Sequence, residues 1–234
     1  MNICVFCSSA EHLRPSFLRE AAALGAQIAA RGHRLVYGGG DLGLMGAVAR
    51  ATVAGGGRVL GVMPRVLVDR GLDGPTMGEL VVTETLRERK AIMDREADAF
   101  VALPGGFGTL EELVEVVTLR QLGVHARPVV VMDVDGYWAP LRALAAAMVG
   151  EGLAPAGEGV LFDVASDAAS AIALVEAGAA STRNDRGGSP FSTSVAATGG
   201  ALRTATSASD RAGQDRAILE DWTESPQAES TGSG

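Results

Sequence analysis

The sequence predicts an α/β protein: a single domain built on a Rossmann-like, doubly wound parallel sheet. Short apolar segments alternate with longer segments of helical periodicity, which is the order expected of βαβ units. Two of the apolar segments, 100–103 and 129–132, are continuous rather than alternating, as in parallel strands buried on both faces. A chain of 234 residues is long enough for one such domain with a full core.

The individual elements follow from these two patterns. The predicted strands are, in order, Asn2–Cys7, Arg34–Tyr37, Arg58–Val62, Leu80–Thr83, Ala99–Leu103, Pro128–Asp133 and a segment around Val160–Asp163. The predicted helices are Ser16–Ala30, Leu44–Ala54, Leu86–Ala97, Leu110–Leu122, Tyr137–Glu151 and Asp167–Ala177. Ligands bind such sheets beyond the carboxyl ends of the strands. Three segments fall there: Cys7-Ser8-Ser9, Gly38-Gly39-Gly40 and Pro104–Thr109.

A change in composition sets the predicted domain boundary. From about Ser181 onward Gly, Ser, Thr, Asn and Asp dominate, and apolar residues become too sparse to build a core. We therefore expect a folded domain over residues 1–180 and a disordered tail over residues 181–234.

Charge and hydropathy exclude several classes of partner. The net charge of −8 gives no general attraction to nucleic acid or to an anionic membrane, so neither is expected as a partner. No apolar segment reaches the length of a membrane span, and the chain starts directly with a strand-like segment. A cytoplasmic protein is the expectation.

The cysteines and histidines do not predict a metal or redox site. Cys4 and Cys7 form a CxxC, but residues three apart on a strand face opposite sides of a sheet. We expect both to be packing residues. The three histidines are scattered through the chain, so no metal site is expected.

The glycine-rich segment Pro104-Gly105-Gly106-Phe107-Gly108-Thr109 follows a predicted strand and precedes a helix. Glycines let backbone N–H groups approach an anion, and the helix directs its positive end to the same place. The segment lacks the GK[ST] of a triphosphate-binding loop, so it suits a single phosphate. Thr109 and Glu112 also have the spacing of a capping box. In that interpretation Glu112 caps the helix and has no catalytic role.

A second glycine-rich segment, Gly38–Gly43, has the GxGxxG spacing of a dinucleotide site. The acidic residue expected at the end of the next strand is missing from Gly61–Pro64, which argues against NAD. Gly39 and Gly40 are instead predicted to contact an anion or nucleotide through the backbone, while a tight turn explains some of the glycines.

A third segment, Thr85–Lys90, has capping-box spacing between Thr85 and Glu88. This places Arg87, Arg89 and Lys90 in the first two helical turns, where cations oppose the helix dipole. Two interpretations remain open: a solvated charged face, or a site for an anionic ligand.

These segments together resemble the LOG ("lonely guy") family of cytokinin riboside 5′-monophosphate phosphoribohydrolases, some of which have been misannotated as lysine decarboxylases. The resemblance runs from about Ile3 to Val175. Its motifs are VFCSS, VYGGGDLGLMGAVA, GVMPRVL, ERKAIM, PGGFGTLEE and QLGVHARPVVVMDVDGYW. Two departures are Leu86-Arg87, where many relatives have Met-His, and Gly71, where relatives often have a ligand-contacting glutamate.

The resemblance implies hydrolysis of the N-glycosidic bond of an N6-substituted AMP, without a cofactor, by a homodimer or higher homo-oligomer. Arg89 and Glu112 match the catalytic pair. The positions matching the nucleotide site are Lys90, Gly106, Phe107, Gly108, Thr109, Glu111 and Thr118. The loop Gly105–Thr109 is expected to bind the 5′-phosphate.

The expected mechanism assigns Glu112 to stabilise the oxocarbenium ion and to accept a proton from water. Arg89 would orient Glu112 and keep its pKa low. Two other functions stay open: a general nucleoside 5′-monophosphate nucleosidase acting on AMP, and a non-catalytic nucleotide or cofactor carrier. Decarboxylation has no support, because Lys90 is the only lysine and its place beside Arg89 suits charge recognition.

Overall fold

A single parallel sheet organises the chain. The computed structural model describes residues 1–72, 77–154 and 161–185. Within them seven strands pair in parallel, in the order β4-β3-β2-β1-β5-β6-β7. The strands are β1 (Asn2–Phe6), β2 (Arg34–Tyr37), β3 (Arg58–Pro64), β4 (Glu79–Thr83), β5 (Ala99–Ala102), β6 (Val129–Met132) and β7 (Asp163–Ala165). The helices are α1 (Pro15–Ala30), α2 (Gly43–Ala54), α3 (Arg65–Val68), α4 (Leu86–Glu96), α5 (Phe107–Gln121), α6 (Ala139–Gly150) and α7 (Ala168–Asp185).

The strand order reverses next to β1. Strands β2, β3 and β4 extend the sheet to one side of β1, whereas β5, β6 and β7 extend it to the other. Open α/β sheets bind ligands in the crevice at such a switch point. Here the carboxyl ends of β1 and β5 meet, and the Ser8 N–H donates to the Pro104 carbonyl at 3.2 Å. The fold therefore brings the loop after β5 to the expected ligand crevice.

Helices cover both faces of the sheet. Residues of α1, α2 and α7 pack on one face with Ile3, Val5 and Cys7, while α4 and α5 pack on the other with Cys4 and Phe6. Cys4 and Cys7 are buried free thiols on opposite faces, which confirms the prediction that they are packing residues. This arrangement places α4 and α5 on the same face of the sheet.

The element pattern agrees with the sequence analysis, and the fold class is confirmed. Six predicted strands match within two residues at each end; β7 begins at Asp163, and Val160 lies outside the described residues. The short helix α3 and a 3₁₀ turn at Val134–Gly136 were not predicted. Helix α7 continues to Asp185, past the expected boundary at residue 180, and 186–234 lie outside the described residues. In the described segments no helix has the length and apolarity needed to cross a membrane.

Candidate active site

Helix α4 begins with the predicted capping box. The Thr85 hydroxyl accepts from the Glu88 N–H at 3.1 Å, and the Glu88 carboxylate accepts from the Glu84 N–H at 2.9 Å. The box fixes where the helix starts. It therefore sets Arg89 and Lys90 in the second turn, facing α5.

Arg89 is buried at the contact between α4 and α5. Its side chain is only 9% exposed, and its Nε donates to the Val62 carbonyl at 3.0 Å. Its Nη1 donates to the Glu112 Oε1 at 2.5 Å. Since Glu112 is also buried, the two side chains form an ion pair that is shielded from water.

Helix α5 begins three residues earlier than the sequence predicts. Its N-cap is Gly106, in an extended conformation, and Phe107 is its first residue. Thr109 is thus inside the first turn, and Glu112 lies in the second turn, where it faces Arg89. The capping-box interpretation of Thr109 and Glu112 is wrong, because a glycine without a capping side chain starts this helix.

The loop before α5 has the geometry of an anion cradle. A Cβ at Gly105 would lie 2.1 Å from the Thr109 Oγ1, so only glycine fits there. The Tyr137 hydroxyl donates to the Gly105 carbonyl at 2.5 Å and holds the loop from the β6–α6 connection. Phe107, Gly108 and Thr109 form the first helical turn. The backbone N–H groups of this turn have no acceptor within the helix. Phe107 is 92% exposed, so its side chain is not packed against the loop.

The glycines after β2 make room for Arg89. A Cβ at Gly38 would lie 2.4 Å from the Arg89 Nη2. Gly39 has a φ of +82°, a conformation that favours glycine. Gly40 and Arg89 line a cavity of about 140 Å³ whose other walls are mostly apolar: Ser9, Gly38, Leu42, Met45, Met63, Leu67 and Leu72.

A second cavity, of about 200 Å³, lies on the other side of the ion pair, between α4 and α5. Its lining includes Glu112, Lys90, Arg87 and Asp94 above an apolar floor. Arg89 thus borders one cavity and Glu112 the other.

Three residues that were predicted to line the nucleotide site, Lys90, Glu111 and Thr118, make other contacts in the structure. Lys90 extends its ammonium to α5, where it is bound by the Glu111 carboxylate and, at 2.9 Å, by that of Glu115. Thr118 is exposed, and its hydroxyl donates to the Val114 carbonyl at 2.7 Å. It lies nine residues after Thr109, about 13 Å along the helix. The structure therefore does not bring Thr118 to the loop.

Burial dominates the electrostatics of Glu112. Burial raises the pKa of this carboxyl above its ordinary value, and Arg89 offsets only part of the effect. The expectation that Arg89 keeps the Glu112 pKa low is therefore wrong in its net direction. The pKa of Lys90 is raised by its hydrogen bonds to Glu111 and Glu115, so Lys90 is held as a cation.

Comparisons with known proteins give the family. A family profile described as "possible lysine decarboxylase" matches residues 45–175. A probable cytokinin riboside 5′-monophosphate phosphoribohydrolase of Oryza sativa subsp. japonica is 48% identical over 175 residues, which cover 75% of this chain and 77% of the relative. A cytokinin riboside 5′-monophosphate phosphoribohydrolase of Arabidopsis thaliana is 49% identical over 151 residues, 64% of this chain and 70% of the relative. The chain belongs to the LOG family.

Solved structures share the LOG family's fold and carry other names. The Moco carrier protein of Chlamydomonas reinhardtii superposes with a TM-score of 0.59 at 25% identity, covering 77% of this chain and 98% of that protein. Fold likeness alone does not fix an activity.

The decarboxylase description does not fit the one lysine of this LOG family member. Schiff-base chemistry requires a neutral amine. Lys90 is held as an ammonium between two carboxylates, which favours the opposite protonation state.

Sequence reasoning missed three contributors to the site. The Val62 carbonyl that holds Arg89 carries no sequence signal, because any residue supplies that oxygen. Tyr137 was assigned only to a helix, and the space that Gly38 leaves for Arg89 depends on a contact 51 residues away in the chain. The segment DGYW, which the resemblance included, is the one signal that could have indicated Tyr137.

Proposed function

We propose that this chain hydrolyses the N-glycosidic bond of N6-substituted adenosine 5′-monophosphates, giving a free cytokinin base and ribose 5-phosphate. The observation that carries the proposal is the buried Arg89–Glu112 pair beside an amide-lined loop of phosphate-binding type. The names of the LOG relatives support the same reaction.

The phosphate would anchor the substrate. The amides of Gly106, Phe107, Gly108 and Thr109 surround the N-terminus of α5, where the helix dipole favours a negative charge. Gly105 gives the loop its shape, and Gly40 lines the cavity on the Arg89 side, whereas the buried Gly39 packs against Met63 and Leu80. Binding energy from the phosphate then positions C1′ against Glu112.

Glu112 would carry the chemistry. As the C1′–N9 bond breaks, positive charge develops on the ribose, and an ionised Glu112 stabilises it. Water then adds its oxygen to C1′ and gives a proton to Glu112, while N9 of the base gains a proton. Arg89 orients the carboxylate through Nη1 and is itself held by the Val62 carbonyl.

The proton for the leaving base would come from solvent. Two acidic side chains adjoin the glycine-rich segments, Asp41 and Glu111. Glu111 is bound by Lys90, and the Asp41 Oδ1 accepts from Arg50 at 2.5 Å. Both carboxylates are thereby engaged in ion pairs with cationic side chains.

Product analysis with isopentenyladenosine monophosphate and AMP tests the reaction. We expect release of free base and ribose 5-phosphate by the native chain, and loss of release in Glu112→Gln and Arg89→Ala. Higher kcat/KM for AMP than for the isopentenyl nucleotide would favour a general nucleosidase. Tight binding of either nucleotide without release of base would favour a carrier, the function named for the Chlamydomonas protein.

A homodimer or larger homo-oligomer is also proposed. Within the described residues α6 buries none of its side chains, and large apolar side chains of α5 and α6 are exposed, among them Val114, Leu144 and Met148. Contiguous apolar surface marks protein interfaces, and Leu144 and Met148 lie one turn apart on the same face of α6. Sedimentation of the full chain should give a mass of at least two copies; a monomer at assay concentration would contradict this.

A further inference from the structure

The loop before α5 has its carbonyls bound by other parts of the protein and its amides free. The Pro104 carbonyl accepts from the Ser8 N–H at 3.2 Å. The Gly105 carbonyl accepts from the Tyr137 hydroxyl at 2.5 Å, and the Gly106 carbonyl accepts the first hydrogen bond of α5. In the part of the chain that the structure describes, no group accepts from the Gly106 N–H. The loop is therefore polarised, with a donor left over for an anion.

The hydrogen bond from Tyr137 fixes the direction of this free donor. The carbonyl and the N–H of a trans peptide point in opposite directions across a rigid plane. Since the Gly105 carbonyl faces Tyr137, the Gly106 N–H faces away from it, directly before the free amides of the first turn of α5. A phosphate bound at the start of α5 can then take a hydrogen bond from Gly106 as well as from that turn.

The same peptide would turn over easily without the tyrosine. It joins two glycines, Gly105 and Gly106, and glycine adopts backbone conformations with positive and negative φ at similar cost. A turned peptide would present the Gly105 carbonyl, with its partial negative charge, to the phosphate. One hydroxyl therefore decides whether the loop offers a donor or a repelling acceptor at this point.

Tyr137 is well fixed for this task. Its ring packs edge-on against Phe17 of α1, with ring centroids 5.6 Å apart, and against Trp138 at 5.0 Å. The Trp138 N–H donates to the Asp133 carboxylate at 2.7 Å, which closes the β6–α6 connection into a tight turn. Because packing already restricts the ring, its hydroxyl can hold the loop at a low cost in side-chain entropy.

We propose that Tyr137 is a positioning residue for the substrate phosphate: its hydroxyl locks the Gly105–Gly106 peptide so that the Gly106 N–H faces the phosphate. The proposal rests on the proposed function, in which this loop binds the 5′-phosphate of the nucleotide. Tyr137 acts through the backbone of the loop and takes no part in breaking the C1′–N9 bond.

The test compares Tyr137→Phe and Ser16→Ala with the native chain. Tyr137→Phe keeps the ring and removes only the hydroxyl that holds Gly105. Ser16→Ala is the matched control, because it removes an exposed hydroxyl that donates to Asp135 of the same connection at 2.5 Å and leaves the Gly105 contact in place. Calorimetric titration with ribose 5-phosphate gives Kd, and turnover of isopentenyladenosine monophosphate gives kcat and KM.

We expect Tyr137→Phe to weaken phosphate binding specifically. Its Kd for ribose 5-phosphate and its KM should both rise about tenfold, as for the loss of one hydrogen bond to a charged group. Its kcat should change less than about threefold, because the phosphate contact is made equally in the ground state and the transition state. Ser16→Ala should leave all three constants unchanged.

A second measurement needs no variant. In NMR spectra of the isotope-labelled native chain, saturation with ribose 5-phosphate should move the Gly106 amide proton downfield, because an N–H that donates to a phosphate oxygen forms a strong, charge-assisted hydrogen bond. This measurement decides alone if Tyr137→Phe does not fold.

Three outcomes would overturn the proposal. They are an unchanged Kd and KM in Tyr137→Phe, an equal rise of both constants in Ser16→Ala, and a Gly106 amide that does not respond to saturating ribose 5-phosphate. Failure of the native chain to release base is a different result. It would overturn the proposed hydrolysis, whereas a tenfold rise of Kd in Tyr137→Phe would still support the role of Tyr137 in binding phosphate.

Discussion

Removing Arg89 alone should destabilise the protein strongly. Arg89→Met keeps much of the side chain's length but leaves the Glu112 carboxylate buried, 6% exposed, without its partner at 2.5 Å. Breaking a buried ion pair on one side costs about 3–5 kcal/mol. This is a large part of the 5–15 kcal/mol that holds a typical domain together.

The loss should depend on pH. Burial already raises the pKa of Glu112, and removal of Arg89 takes away the group that opposes this shift. In the variant the carboxyl can take up a proton on acidification, so it is no longer a buried charge. The free energy of unfolding of Arg89→Met should therefore lie closest to that of the native chain at low pH, and furthest below it above the raised pKa.

The double variant Arg89→Met/Glu112→Leu separates stability from catalysis. Replacing both partners of a buried pair by apolar side chains is often neutral or stabilising by about 1–4 kcal/mol. We expect the double variant to regain the stability that Arg89→Met loses, and to release no base. Urea unfolding at two pH values and product analysis measure the two properties.

Two results would refute this reasoning. A double variant as unstable as Arg89→Met would mean that the pair is needed for folding, with packing around it that apolar side chains cannot replace. A double variant that still hydrolyses the nucleotide would remove Glu112 and Arg89 from the chemistry.

Three further predictions concern the same region. The acid limb of kcat/KM should lie above the ordinary pKa of a glutamate, because burial raises the pKa of Glu112 and the base must be ionised; a profile flat down to pH 4 would contradict this. Gly38→Ala should lower kcat/KM by ten- to a hundredfold, about 1.4–2.7 kcal/mol, because the new Cβ would lie 2.4 Å from the guanidinium of the pair. Gly150→Ala, where a Cβ meets nothing within 4 Å, is its control and should keep full activity. Cys4 and Cys7 should not react with a thiol reagent in the native protein and should both react in denaturant, because both are buried with raised pKa values.

Sequence patterns predicted the architecture well because each pattern is local. The strand Arg34–Tyr37 was placed at its observed bounds, and the continuous apolar runs around Phe100 and Val130 mark the buried parallel strands β5 and β6. The site was predicted to lie at the carboxyl ends of the strands by the general behaviour of doubly wound sheets, and β1 and β5 meet there.

Local patterns failed where a long-range contact decides. The spacing of Thr109 and Glu112 fits a capping box, yet the helix starts at Phe107 because Gly106 can serve as its N-cap. Whether Glu112 caps a helix or meets Arg89 depends on a contact 23 residues away. The partners of Lys90 are likewise set by how α4 docks on α5, which no single segment encodes.

The Arg89–Glu112 pair, more than the fold, is what argues for an enzyme. Nearly the whole of the Chlamydomonas protein named a Moco carrier superposes on this chain, so the fold by itself does not single out hydrolysis. A buried ion pair, by contrast, adds little to stability, since apolar residues can do as well in the same volume. A pair that apolar side chains are expected to replace without loss of stability, yet that is fixed by the Val62 carbonyl and by space at Gly38, is most simply explained by chemistry at the bound nucleotide. The double variant of these two residues therefore tests the function of the site and the physical argument for it at once.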